Sequence, residues 1–256
     1  MTDAWRGLPG WTRRAVHVLL AVHVFLSVGF FATQRALGDD DSGSAEFLKR
    51  LFHMGGDPSL TAWWSTVILA FAGALALAVW LAPRIGADPG APRPRNLHWL
   101  ALAIVLGGLS LDEGAVIHET LGSLVGSRVG TSDDDFWPVL YLPGIAVGVW
   151  ALWRVAREMR RPAAMLATVG IGALLVGVGS DLVPVAIGWE GGGAPGLGKS
   201  LLEENFELLG AGLVLLAIAV TATERILSSG VLLRLAAPPA RRTGARAVPE
   251  EERQLV

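Results

Sequence analysis

The chain has 256 residues, a formal net charge of −2 and no cysteine. The lack of cysteine excludes disulfides, thiolate metal sites and cysteine nucleophiles, and the balanced charge gives no reason to expect a nucleic-acid partner. Hydrophobic residues make up 52% of the chain and charged residues 17%, whereas soluble domains average about a quarter charged residues. With a mean hydropathy of +0.49, this composition predicts an integral membrane protein embedded in a lipid bilayer.

Six apolar stretches are long enough to cross a bilayer, because a helical span needs about 20 mostly apolar residues. In chain order they cover residues 15–33, 60–81, 97–125, 136–153, 162–187 and 200–222. Several of the ten tryptophans lie near the ends of these stretches, which is typical of the membrane interface. The predicted fold class is all-α: a polytopic membrane helix bundle with about six transmembrane helices.

Two segments lie outside these stretches but carry a pattern of their own. Residues 43–54 place Phe47, Leu48, Leu51 and Phe52 on one helical face, which predicts a short helix that is either amphipathic at the outer surface or an ordinary loop helix. Residues 236–256 are rich in Arg, Pro and Glu and are expected to form a disordered cytoplasmic tail. The transmembrane domain is therefore expected over residues 1–235.

The connections between the stretches alternate in charge. Arginines precede the first stretch, follow the sixth, and fill the second-to-third and fourth-to-fifth connections. The remaining connections are acidic or glycine-rich, with Asp39–Asp41, Asp133–Asp135 and Glu190. Because basic residues in short loops stay on the cytoplasmic side, this pattern predicts six spans in the plasma (inner) membrane, with the N-terminus and C-terminus both cytoplasmic.

Ionisable residues occur inside several predicted spans, where a charge at mid-helix costs about 2.5–3.5 kcal/mol even on insertion scales. The acids share the outer half of the membrane when depth is counted along each helix, and His23 lies near the middle. The residues concerned are Asp112, Glu113, His118 and Glu119 in the third span, Asp181 in the fifth, Glu203, Glu204 and Glu207 in the sixth, and His23 in the first. His53 and His98, by contrast, are expected at the surface or the interface.

Helical angles predict that these acids converge. Asp112 and Glu119 fall within about 20° of each other on the third span, and the sixth-span acids share an arc of about 100° that Gly210 extends. Gly170 lies on the same side of the fifth span as Asp181, where glycine permits close helix approach. We therefore expect Asp112, Glu119 and Glu207 to face one another.

Carboxylates with a histidine suit a divalent cation as cofactor. The candidate ligands are Asp112, Glu113, His118, Glu119, Glu203, Glu204 and Glu207, with Asp181 and His23 as further members of the site. Oxygen-rich coordination favours Ca²⁺, Mg²⁺ or Mn²⁺, and the histidine leaves Zn²⁺ or Fe²⁺ open. A protonated, hydrogen-bonded network is the alternative, since crowding and desolvation both favour the neutral form of a carboxyl.

Two segments resemble a family pattern. Leu109-Ser110-Leu111-Asp112-Glu113 with Ile117-His118-Glu119, and Leu202-Glu203-Glu204-Asn205-Phe206-Glu207-Leu208-Leu209-Gly210, resemble the S-[LI]-D-E…H-E and E-E-x-x-E-[ML]-L-G segments of uncharacterised bacterial multi-pass membrane proteins. The resemblance implies that the two acidic segments belong together, and it implies no reaction.

Three functions remain open from the sequence. The first is a metal-dependent membrane enzyme that acts on a lipid-like substrate, with Asp112, Glu113 and Glu207 as catalytic candidates. The second is a transporter or channel that moves a proton or cation through the acidic cluster. The third is a structural subunit, in a homo-oligomer or with a partner, whose acids form a buried network.

Overall fold

The computed structural model describes residues 6–37, 42–54, 59–85, 96–117, 120–121, 124–125, 137–187, 194–228 and 230, with only the backbone of 137–140, 178–187, 194–200 and 203. The elements in this part of the chain are seven α-helices and one short 3₁₀ turn, Ala82–Arg84. The helices are α1 (Gly10–Leu37), α2 (Gly43–Leu51), α3 (Leu60–Leu81), α4 (Leu97–Ala115), α5 (Trp137–Ala156), α6 (Arg161–Ile187) and α7 (Ala194–Ser228). The predicted all-α class is confirmed.

The helices have the length and composition of membrane spans. Four segments are long and apolar enough to cross a bilayer: Gly10–Leu37, Leu60–Arg84, Leu97–Ala115 and Glu204–Ser228. The apolar parts of α5 and α6 with described side chains, Tyr141–Ala156 and Arg161–Gly177, are shorter. A membrane-embedded bundle follows from these helices, and the count of six spans stays a prediction.

Two apolar clusters show how the long helices are oriented. One joins the first halves of α1 and α6 to the second half of α7, through residues such as Leu19, Ala163 and Leu216. The other joins the first turns of α4 to the last turns of α3 and α5, as in the contact group of Trp99, Val79 and Val155. The helices therefore alternate in direction, and the ends next to the arginine-rich segments meet at one end of the bundle, called here the basic end.

Helix α7 is central: it packs against α1, α3 and α6, while α3 also packs against α4, and α4 against α5. The closest approach joins α6 and α7, where a Cβ atom built on Gly210 would lie 2.7 Å from the Gly170 carbonyl oxygen. Only glycine leaves room for this crossing. The predicted close approach of the fifth span is thus confirmed at Gly170.

Glu158, in the turn between α5 and α6, ties three helices together at the basic end. Its carboxylate accepts a hydrogen bond from Trp99 Nε1 at 3.0 Å and pairs with Arg225 Nη2 at 2.8 Å. His98 Nε2 lies 3.1 Å from the other carboxylate oxygen. His98 was expected at the surface or the interface, and the surface alternative is wrong, because this cluster buries it to 5% exposure.

Helix α2 packs against the second half of α1, away from the basic end. Ser42 caps α2 by accepting a hydrogen bond from the Ala45 amide, and the Phe52 ring lies against Gly29 and Phe25 of α1. Phe47 and Leu48 remain exposed. The predicted short helix is present, over Gly43–Leu51.

Candidate functional site

The end of α4 opposite the basic end is held against α3, and this contact sets the direction of its acidic side chains. Ser110 Oγ donates to the Thr66 carbonyl at 2.9 Å, and a Cβ atom on Gly73 would lie 3.1 Å from the Gly107 amide nitrogen. A glycine contact of this kind brings two helix backbones close together. The rotation of α4 is thereby fixed, and its two neighbouring acids contact different groups.

Asp112 contacts α5. Its side chain is buried, at 9% exposure, and Tyr141 Oη donates a hydrogen bond of 2.6 Å to Asp112 Oδ1. Tyr141 is the one tyrosine of the chain and was not among the predicted site residues. A tyrosine in an apolar segment signals a polar partner for its hydroxyl, so the sequence did contain a clue.

Glu113 lines a pocket between α4 and α3 with a cavity volume of about 280 Å³. The other polar and aromatic residues of the lining are Ser59, Trp63 and Thr66. Trp63 is 62% exposed, so the pocket lies at the outer surface of α3. Of the two neighbouring acids, Asp112 is buried and Glu113 is half-buried in the pocket lining.

Val116 ends α4 in a strained conformation. Its φ of 53° and ψ of 42° lie in the left-handed region, and its N–H bonds to the Asp112 carbonyl. A β-branched residue rarely adopts this conformation, and such strain costs about 1–3 kcal/mol and concentrates at functional sites. The predicted span 97–125 is therefore interrupted at Val116. Helical bonding resumes beyond it, where the Thr120 amide bonds to the Val116 carbonyl.

Other predicted site residues are only partly described. His118 and Glu119 lie outside the described residues, as do the side chains of Asp181 and Glu203. Glu204 and Glu207 are half-buried on α7, and both interact with other groups. No group of three acids or histidines that could hold a metal ion occurs among the residues the structure describes.

Helix α3 packs against both α4 and α7, so it is the main neighbour shared by the two acidic segments. Residues of α4 and α7, such as Trp99 and Ile218, also belong to one apolar cluster at the basic end. That Asp112, Glu119 and Glu207 face one another stays a prediction.

A second polar group joins α1 to α7. His23 is buried at the middle of α1, and its Nδ1–H donates to the Leu19 carbonyl at 2.7 Å. One turn further along, Ser27 Oγ donates to Asn205 Oδ1 at 2.9 Å. His23 was a predicted site residue, whereas Asn205 was missed, although a neutral amide among three acids is a signal of an interior polar contact.

Together, the apolar helices define a helical membrane protein, and one of its helices carries a buried carboxylate, Asp112, at the end opposite the basic end. The chain belongs to the family described as a domain of unknown function (DUF8692), whose model matches residues 15–223. Comparison with curated proteins gives no match, and comparison with solved structures gives none. Because the family description names no chemistry, function is inferred from the site.

Proposed function

We propose that this protein crosses the plasma (inner) membrane six times and holds a divalent cation at an acidic site in the outer half of the bilayer. The basic end of the bundle is assigned to the cytoplasm, together with both termini, because basic residues in short loops stay inside. Arg160 and Arg225 lie at this end and pair with Glu224 and Glu158. This orientation places Asp112 and Glu113 in the outer half.

Cysteine labelling tests the orientation cleanly, because the chain has no cysteine of its own. Single cysteines at Asp40, Asp134 and Gly192 should react with an impermeant thiol reagent added to intact cells. Cysteines at Arg93 and Arg160 should react only after the membrane is opened. Labelling at position 160 from outside would contradict the proposed topology.

The observation that supports the cation site is the different placement of the Asp112 and Glu113 side chains. Tyr141 orients the buried Asp112 carboxylate, and Glu113 next to it lines an accessible pocket. Asp112 faces Tyr141 of α5 and Glu113 faces the pocket beside α3, so a cation would be held by one of them together with acids from other segments. Carboxylate oxygens and a histidine suit a divalent cation, and we draw its ligands from a subset of Asp112, Glu113, His118, Glu119, Glu203, Glu204 and Glu207.

A metal-dependent enzyme acting on a lipid-like substrate is the function that this placement supports best. The pocket of Glu113 opens beside the exposed Trp63, where a lipid headgroup in the outer leaflet could enter. A bound divalent cation would act there as a Lewis acid on an ester or phosphoryl oxygen. The catalytic candidates are Asp112 and Glu113 from α4 and Glu207 from α7, with Tyr141 as a residue that positions Asp112.

A proton- or cation-coupled transporter or channel is the second candidate, because intramembrane acids mark ion pathways. Against it, the bundle nearer the basic end is filled by apolar side chains such as Trp99, Leu102 and Ile218. The close contact between Gly73 and Gly107 also brings α3 and α4 together on the inner side of Asp112. Ion flux into liposomes containing the purified protein would favour transport over an enzyme.

The third candidate is a structural subunit, in a homo-oligomer or beside another protein. In such a subunit the Tyr141–Asp112 hydrogen bond would serve packing alone.

The metal content of the purified protein separates a structural subunit from a metal-dependent enzyme. Protein purified without chelator and dialysed against divalent metals should retain close to one ion per chain. The D112N/E113Q double variant should lose it, while E46Q, which changes an exposed carboxylate on α2, should retain it. Wild-type protein without stoichiometric metal would contradict the cation site.

A further inference from the structure

The end of α5 carries two tryptophans and two arginines on one face. Trp150, Trp153, Arg154 and Arg157 occupy positions i, i+3, i+4 and i+7, which share one side of a helix. The Arg157 amide bonds to the Trp153 carbonyl at 3.2 Å, so the helical spacing extends as far as Arg157. These four residues are called here the Trp/Arg stripe.

The Trp/Arg stripe points away from the bundle. Trp150 is 46% exposed and Trp153 is 53% exposed, and both arginines are exposed as well. Ala151 and Val155 lie between these residues in the sequence but are fully buried, in the apolar cluster that contains Trp99 of α4. Because α5 packs against α4 through this buried side, the stripe faces the surroundings of the protein.

The stripe lies where the apolar part of α5 ends. That part covers Tyr141–Ala156, so both tryptophans are close to its end and Arg157 follows it. At 1.5 Å per residue, the stripe extends about 10 Å along the helix. Tryptophan concentrates at the headgroup level of a bilayer, and the headgroup region is about 5–8 Å thick on each side. The length and position of the stripe therefore match the layer from the edge of the hydrocarbon core to the phosphates.

The arginines of the stripe carry charge that the described part of the chain does not compensate. Two other arginines at the basic end pair with carboxylates, at 3.3 Å for Arg160 and 2.8 Å for Arg225. Within the described residues, no carboxylate forms an ion pair with Arg154 or Arg157. Arg157 Cζ lies 4.5 Å from the centre of the Trp153 ring, and this cation–π contact holds the guanidinium on the exposed side of the helix.

An anionic phosphodiester complements this arrangement. Guanidinium groups bind phosphate oxygens through paired, charge-assisted hydrogen bonds, and indole rings pack against the glycerol and the first methylenes of the acyl chains. A phosphocholine headgroup brings its own cation, which the two arginines repel. We propose that the Trp/Arg stripe binds the headgroup of an anionic phospholipid whose phosphodiester carries no headgroup cation, such as phosphatidylglycerol. This site depends neither on the cation site proposed above nor on which side of the membrane the basic end faces.

The test compares the binding of short-chain phosphatidylglycerol and phosphatidylcholine to the full-length protein in a neutral detergent, by native mass spectrometry. Phosphatidylglycerol should bind about 25-fold more tightly to the wild-type protein, at about 5-fold for each of two arginines near a membrane surface. The R154Q/R157Q variant should lose most of this preference. W153L should weaken phosphatidylglycerol binding about 2- to 5-fold, the range of an exposed cation–π contact.

R13Q/R14Q is the matched control, because it removes the same charge from the beginning of α1, which packs chiefly against α7 and α2. Its lipid preference should stay within about 2-fold of the wild-type value, since salt screens charges more than about 10 Å apart at 0.1 M. Equal losses in R13Q/R14Q and R154Q/R157Q would overturn the proposal, because the preference would then come from the overall charge of the basic end.

Two further results would also overturn the proposal. Equal affinity of the wild-type protein for the two lipids would show that the arginines do not select an anionic headgroup. A protein that is dimeric in nanodiscs and becomes monomeric in R154Q/R157Q would show that a second copy of the chain, and not a lipid, covers this face.

Discussion

The crossing of α6 and α7 allows a sharp prediction about what holds the bundle together. In Gly210→Ala, the new Cβ atom would lie 2.7 Å from the Gly170 carbonyl oxygen and 2.8 Å from the Leu174 amide nitrogen, against ordinary contacts of 3.4 Å and above. The Leu174 side chain, whose Cγ would lie at 2.6 Å, can move aside, but these two backbone atoms cannot, so the helices themselves must separate by about 0.6–0.7 Å. Overpacking of this kind costs about 1–3 kcal/mol, and we expect G210A to lose that amount of unfolding free energy.

Gly172→Ala is the matched control, because nothing lies within 4 Å of a Cβ atom at Gly172 on the same helix as Gly170. Alanine there should improve helix propensity and stabilise by up to about 1 kcal/mol. Both variants should be unfolded by SDS titration in mixed micelles, with far-ultraviolet circular dichroism as the readout. Equal stability of G210A and G172A would refute the reasoning, since the α6–α7 contact could not then depend on glycine at the crossing.

Three further variants test the strained turn, the buried acid and the basic end by the same unfolding assay. V116G should stabilise the folded protein by about 0.5 kcal/mol. Relief of the left-handed conformation gains about 1–2 kcal/mol, and the flexibility of glycine costs about 0.5–1 kcal/mol. A V116G variant less stable than the wild type would contradict the strain at Val116. Y141F should lose about 1.5–3 kcal/mol, the value of a hydrogen bond to a charged group, and an unchanged midpoint would show that Asp112 does not depend on the phenol. E158Q should lose about 1 kcal/mol of unfolding free energy. The control E46Q, which removes the exposed ion pair with Arg50, should lose less than about 0.5 kcal/mol. Equal losses would argue that Glu158 does not hold the helices together.

Periodicity and charge predicted the architecture because both are local properties of the chain. An apolar stretch of the right length forms a helix in a membrane whatever its neighbours do, so the helical class followed from composition. The short helix at residues 43–51 followed from spacing. The close helix approach at Gly170 followed from the physical reason that glycine sits where helices cross closely, whereas its partner Gly210 was not predicted.

The rotation of each helix was harder to predict, because it depends on contacts between distant residues. Tyr141 and Asp112 are 29 positions apart, and Ser27 and Asn205 are 178 apart. No local pattern links such pairs, so both were missed. The break at Val116 was missed for another reason: valine is a poor residue for a left-handed turn, and no glycine or asparagine signalled one there.

The histidine at the start of α4 shows the same limit. The position of His98 near the end of a predicted span favoured the membrane interface. The carboxylate of Glu158, in the turn between α5 and α6, covers the ring. Burial of a polar residue near a helix end depends on what the loops bring to it. Sequence patterns thus predicted which helices carry polar residues, and packing decided the partners of those residues.

Thermal unfolding with and without a chelator tests the cation site most directly. A ligand that binds only the folded state at 100 times its Kd stabilises that state by about 2.7 kcal/mol. Chelation should therefore lower the melting temperature of the wild-type protein in detergent, and added Mn²⁺ or Mg²⁺ should restore it. The D112N/E113Q variant should show no response to either treatment. Superimposable wild-type melting curves with and without chelator, together with no co-purified metal, would contradict the cation site and favour a protonated carboxyl network.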